Sequence, residues 1–183
     1  MSKFADEAEN VAFFEAYNSE SDLVRAVGLV SILEDRIDSI FRIFLVDDKA
    51  IRNDLFLPDR PLGNLGAKLR LLYMLRMLRR GEYKDILIFI RIRNKFAHEP
   101  RIQSLEEQPV SCLLRNLTTW ETFKNISDSE EDVLGIFEDS LTSDREMFKL
   151  AVRIYINKLE WIAKTIAEND SLRPSVTNFL CAP

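Results

Sequence analysis

The sequence predicts an all-α fold, one compact multi-helix bundle, and three observations predict it. Hydrophobic residues make up 46% and charged residues 30% of 183 residues, enough apolar matter for one well-filled core and too much for a disordered chain. Glycine numbers only 5 and proline only 6, too few to turn a chain of many short strands. Apolar residues recur at intervals of three and four along every long segment, the period of a buried helical face. The expected organisation is one helical domain over residues 1–168 followed by a loosely ordered tail, 169–183.

The elements follow in order. Ala5 to Tyr17 reads as a short helix, and Asn18-Ser19-Glu20-Ser21-Asp22 supplies caps, with Ser19 and Asp22 at capping-box spacing. A long helix then runs through Leu23, Ala26, Val27, Val30, Leu33, Ile37, Ile40, Phe41 and Phe44. Asp47 to Arg60 breaks the period, and Pro58 and Pro61 frame a turn. Gly63-Asn64 leads into a second amphipathic helix through Leu65, Leu69, Leu72, Tyr73, Leu75 and Met77, ended by Arg79-Arg80-Gly81. Gly63 suits a turn, and Gly66 a close approach of helices. The next helix starts near Glu82, buries Ile86, Phe89, Ile90 and Phe96 or Ala97, and stops where Pro100 disfavours helical geometry at Glu99. A short helix spans Val110 to Leu117. Thr118 to Leu141 is acidic and weakly periodic, so its structure is the least defined. Ser143-Asp144-Arg145-Glu146 forms a capping box for a last helix through Phe148, Ala151, Val152, Tyr155, Leu159, Ile162 and Ile166.

Composition and motifs exclude several functions. The start, Met1-Ser2-Lys3-Phe4-Ala5-Asp6-Glu7, lacks the apolar run of a signal peptide, and the most apolar stretch, Leu23 to Leu45, carries Arg25, Glu34, Asp35, Arg36, Asp38 and Arg42. No membrane span and a cytoplasmic location are expected. Cys112 and Cys181 form no CxxC pair and read as reduced thiols. With one histidine and scattered cysteines, no metal site and no cofactor are expected. There is no GxxxxGK[ST] loop, no GxSxG elbow and no GxGxxG run.

Charge is distributed unevenly. The net charge of -5 opposes bulk attraction to DNA or anionic lipid, yet Lys68 to Arg101 holds ten basic residues against Glu82, Asp85 and Glu99, an excess of seven. Such a run is either a solvated face that pairs with acidic segments or a surface for phosphate, nucleic acid or a protein partner; Arg91, Arg93, Lys95 and Arg101 are the contact candidates.

One segment is chemically suggestive. Arg91-Ile92-Arg93-Asn94-Lys95-Phe96-Ala97-His98 sets the sole histidine at the end of the most basic helix. An arginine can hold a phosphate in a bidentate grip, and an imidazole can move the proton of a ribose hydroxyl. The pattern resembles the R-x4-H motif of the HEPN superfamily, helical proteins that include metal-independent ribonucleases; the resemblance implies Arg93 and His98 as catalytic and Asn94 as orienting. Five residues of ideal helix, however, place Arg93 and His98 about 140° apart, whereas Arg91, Asn94 and His98 share a face. Convergence would need the helix to end at His98 or a homodimer to supply the partner group. The structural alternative is a histidine that caps a helix C-terminus.

A broader likeness includes this segment. Pro61-Leu62-Gly63-Asn64-Leu65, then Lys68-Leu69-Arg70-Leu71-Leu72-Tyr73, then Glu82-Tyr83-Lys84-Asp85 resembles the PLG-x-L turn, K/R-L-x-L-x-Y helix and E-Y-x-D helix start of the mannitol operon repressor (MltR) family. Phe44-Leu45-Val46-Asp47-Asp48 and Ser143-Asp144-Arg145 add to it, so the similarity covers roughly residues 20 to 165. The resemblance implies a compact helical fold and a repressor of mannitol-utilisation genes. No polar, basic recognition helix of a helix-turn-helix is present, so the implied regulator is non-enzymatic and works through a protein partner or as a co-repressor. The alternative is a HEPN-type metal-independent ribonuclease or toxin component using Arg93 and His98.

Overall fold

Every described element is helical in the computed structural model, which describes residues 7–119 and 143–172. In chain order these are α1 (Glu7–Asn18), α2 (Asp22–Phe44), α3 (Lys49–Leu55), α4 (Leu65–Met74), α5 (Arg80–His98), α6 (Val110–Leu114) and α7 (Asp144–Glu168), closed by a 3-10 turn at Asp170–Leu172. The all-α expectation is borne out. The segment from Thr118 to Leu141, read as weakly periodic, lies outside the described residues from Trp120 onward, as do Cys181 and the tail beyond Leu172.

The apolar period decides the packing. Along α2 the fully buried side chains are Ala26, Leu29, Leu33, Ile37, Ile40 and Phe41, and this face meets α7 over most of its length. α1 crosses the other side of α2 where Gly28 faces Ala16; a Cβ on Gly28 would stand 2.7 Å from the Ala16 Cβ, so only glycine lets the two helices approach this closely. α5 completes the centre, packing on α2, α4, α6 and α7 through Ile86, Phe89 and Ile92. The Phe89 ring lies edge-on to Phe148 and Tyr155 of α7, each centroid 5.7 Å away. Burying side chains of this size is worth about 1.5–3 kcal/mol apiece, the main favourable contribution here.

Several local expectations are corrected. Ser21, not Ser19, caps α2: its hydroxyl accepts the Val24 N–H, and Asp22 is already helical and buried. Leu23, counted in the apolar stripe, is 45% exposed, and of Phe96 and Ala97 it is Phe96 that is buried. The stretch read as a break holds α3, two turns capped by Asp48, whose Oδ1 accepts the N–H groups of Ala50 and Ile51 at 3.0 Å. None of its residues is fully buried, so no apolar period could announce it. α4 stops at Met74, earlier than expected, because Arg76 turns left-handed at φ 60°, with Arg76 N–H bonded to Tyr73 O and Met77 N–H to Leu72 O. This is the Schellman ending, made with arginine where glycine is usual, and so invisible to a search for glycine. Arg79-Arg80-Gly81 consequently opens α5 rather than closing α4, with Glu82 Oε2 accepting the Arg79 N–H at 2.6 Å. α6 is shorter than read, ending at Leu114. Gly66 has no close neighbour beyond an ordinary contact with Asn64, so no helix approach depends on it. Ser143 behaves as expected, accepting the Glu146 N–H at 3.2 Å.

Candidate functional site

The residues that carry the family likeness turn out to be structural. Asn64 caps α4 by accepting the Ala67 N–H at 2.8 Å, and Leu62, Leu65 and Leu69 are buried beside it. Gly63 is wedged against backbone, since a Cβ there would lie 2.2 Å from Leu57 O and 2.4 Å from Pro58 O. Lys68 is buried, pairs with Glu34 at 2.9 Å and Asp38 at 2.7 Å of α2, and sits over the Phe56 ring. Burial pushes its ammonium down, and the two carboxylates outweigh this, holding it above the usual lysine range. Tyr73 stacks on Tyr83 with centroids 4.9 Å apart, tying α4 to α5.

Two carboxylates of the α5 start lock that helix to α7. Glu82 pairs with Lys158. Asp85, fully buried, accepts Tyr155 Oη–H at 2.8 Å, both hydroxyls of Thr118 and Thr119 at 2.9 and 3.0 Å, and their N–H groups at 2.8 and 3.0 Å. Burial, reinforced by the Asp85 charge, raises the Tyr155 phenol well above its ordinary value. A second buried carboxylate, Asp22, receives Arg25, Arg145 at 2.8 Å, and the Leu105 N–H at 2.9 Å, pinning α2, α7 and the 100–109 loop together. Burial would raise its pKa, and Arg145, Leu105 N–H and Arg25 together pull it below the usual aspartate value. Asp22 falls in the capping stretch of the sequence, and neither it nor Asp85 carries a local signal of its node, since Leu105, Arg145, Thr118, Thr119 and Tyr155 lie 33 or more positions away.

These ties fix the rotation of α5, and with it which residues face out. At 100° per residue, Arg80, Lys84, Leu87, Arg91, Asn94 and His98 fall on one line within about 40° of its mean. Five of the six are exposed and Leu87 is half-buried. Arg101 is exposed just past the helix end. Among the described residues, the side chains of Arg80, Lys84, Arg91, His98 and Arg101 make no hydrogen bond or ion pair, and no carboxylate stands on this edge. Lys95, at the margin of the edge, is held by Glu99 at 2.9 Å.

Arg93 is elsewhere. α5 ends at His98 with Glu99 as its C-cap, as expected, and up to that last residue regular helical geometry sets Arg93 and His98 roughly 140° apart. The Arg93 guanidinium donates to Asn94 Oδ1 at 3.3 Å rather than approaching His98. The exposed line takes Arg91 and Asn94, and Arg93, half-buried, lies off it. Two open clefts, of about 520 and 360 Å3, are lined by Leu23, Phe96 and Ile102 and by Phe44, Met77 and Trp161 respectively; neither includes Arg91, Asn94 or His98. Among the described residues no cluster of His, Cys, Asp or Glu is placed to hold a metal ion, and no helix is long and apolar enough to cross a membrane.

Known structures share this architecture. The MtlR chain of the MtlR–HPr complex from Escherichia coli superposes with a TM-score of 0.59 at 17% identity, covering 82% of this chain and 96% of that one. The possible transcriptional regulator YggD from Shigella flexneri superposes with a TM-score of 0.59 at 15% identity, covering 87% of this chain and 99% of that one. No curated protein sequence matches the chain. The likeness read from the Pro61 to Asp85 signatures is borne out by the mannitol repressor family model, which matches residues 12–160, and the chain belongs to the mannitol repressor family.

Proposed function

We propose that this chain regulates transcription of mannitol-utilisation genes in the cytoplasm, as a repressor or co-repressor, through a protein partner and not by placing a recognition helix in DNA. The observation that carries this is the family match over residues 12–160, joined to the place of the most basic helix in the fold. α5 is a packing helix, buried through Asp85, Ile86, Ile88, Phe89, Ile92 and Phe96 against four other helices, and does not project from the fold. A major-groove reader needs a projecting helix with a broad polar face. The Escherichia coli relative was solved with HPr, and by that analogy HPr is the partner to test first.

The test is twofold. Deletion of the gene should raise a reporter driven by the mannitol promoter, and the purified chain should bind the HPr of the same cell in calorimetry while failing to retard the promoter fragment alone. An unchanged reporter on deletion would remove the regulatory role; tight, sequence-selective binding of the promoter by the chain alone would remove its dependence on a partner.

A further inference from the structure

We propose that the exposed edge of α5, Arg80, Lys84, Leu87, Arg91 and His98, extended by Arg101, is a docking face for a protein partner that presents a carboxylate-rich surface around a small apolar centre. The proposal rests on the reading that this chain acts through a protein, and it adds where that protein sits and what chemistry it offers.

Charge is the first argument. The buried and half-buried cations Lys68, Arg36, Arg145, Lys149 and Lys158 each hold a carboxylate and so serve the fold. On the α5 edge, three permanent cations and the imidazole stand along one line, with Arg101 just past its end, and among the described residues none of them is ion-paired. From Arg80 to His98 this line is about 27 Å long at 1.5 Å per residue, the span of one side of a small-domain interface. Like charges on one line repel one another, and an acidic partner converts that repulsion into attraction.

Shape and composition supply the second argument. Leu87 sits half-buried at the middle of the line, between Lys84 and Arg91, giving an apolar contact ringed by charge, the usual anatomy of a protein interface. A phosphodiester backbone has nothing to match Leu87, and the net negative charge opposes the approach of a polyanion. The edge is also rigid, because Glu82–Lys158, Asp85–Tyr155 and the Tyr73–Tyr83 stack hold α5 on its neighbours. A rigid face pays little ordering entropy on binding.

The experiment compares three forms of the full chain: wild type, Lys84→Glu/Arg91→Glu, and Arg153→Glu, a charge reversal of an exposed arginine on α7 away from the edge. Each is checked by circular dichroism, immobilised, and incubated with nuclease-treated extract of the source cell; bound proteins are quantified by mass spectrometry, and the major one is purified and titrated at low and high salt. HPr is titrated in parallel. The expected result is one protein held by wild type and Arg153→Glu and bound at least about tenfold more weakly by the double reversal, with affinity falling as salt rises. Equal binding by all three forms, HPr included, overturns the docking face and leaves partner-borne regulation standing. No protein retained by wild type overturns both. Binding seen in a parallel untreated extract and lost in the nuclease-treated one makes the edge a nucleic-acid contact, and a wild-type dimer in sedimentation that the double reversal dissolves makes it a face between two copies; either overturns the proposal.

Discussion

Removing the Asp85 carboxylate tests the buried node that orients the proposed face. In Asp85→Ala five donors lose their acceptor at once. They do not count equally: Thr118 and Thr119 are half-buried, so water can reach their groups, whereas Tyr155 is 3% exposed and its hydroxyl loses its charged acceptor, keeping only Thr118. Losing a buried bond to a charged acceptor costs about 1–3 kcal/mol, and losing the cap on the two threonine amides about 1 more, giving roughly 2–4 kcal/mol in all. For a domain of this size that is a fall of about 4–16 °C in Tm. Tyr155→Phe removes one donor and leaves the carboxylate four, so it should cost only about 1–1.5 kcal/mol. Because both single changes remove the same Asp85–Tyr155 bond, the double variant should be more stable than the sum of the singles by about 1 kcal/mol. Urea unfolding of the four forms measures this coupling. Strict additivity, or a smaller loss from Asp85→Ala than from Tyr155→Phe, would refute the idea that the carboxylate holds α5 and α7 together through the phenol.

Other elements give shorter predictions. Lys68→Ala strands Glu34 and Asp38, both about a quarter exposed, and should cost about 2–3 kcal/mol in urea unfolding, less than a wholly buried pair would. Gly63→Ala sets a Cβ against two backbone carbonyls, and overpacking of this kind should cost about 2–3 kcal/mol and depress the yield of folded protein. Asp22 has a folded pKa below its unfolded value, so its contribution is complete above the ordinary aspartate range and is lost as pH falls through the folded pKa. Thermal melts from pH 6 to pH 2 should therefore steepen at the acid end in wild type, and Asp22→Asn should be less stable at pH 6 and flatter below pH 4. Parallel profiles would show that Asp22 does not titrate with unfolding.

The sequence carried the fold where burial is periodic and lost it where structure depends on a single turn or a distant partner. α2, α5 and α7 were legible because Leu33, Ile37, Phe41, Phe89 and Tyr155 repeat with the helical period and face one core. α3 was not, since a two-turn helix with no buried residue has no period, and Asp48 alone announces its start. The end of α4 was misplaced because Arg76 occupies a left-handed position that glycine would have advertised. The R-x4-H spacing was visible in one dimension, and helical geometry already argued against its closure; the exposed line that replaces it could be drawn only once Asp85 and Glu82 had fixed the rotation of α5.

The family signature and the proposed docking edge interleave on the same helix yet answer different constraints. Glu82, Tyr83 and Asp85 are fixed by contacts with α4, α7 and Thr118, so a change there costs stability. Lys84, one position away, touches none of these and is free to vary without unfolding anything. At 15–17% identity to the two solved relatives, a shared fold is what the buried residues transmit, while partner choice must be written in exposed ones such as Lys84, Leu87 and Arg91. Transplanting the α5 edge of this chain onto the Escherichia coli MtlR scaffold, with the buried residues of α5 kept, should then transfer this chain's partner preference without changing the Tm by more than a few degrees. A chimera that folds equally well and keeps the scaffold's own partner would show that the choice is made on another face.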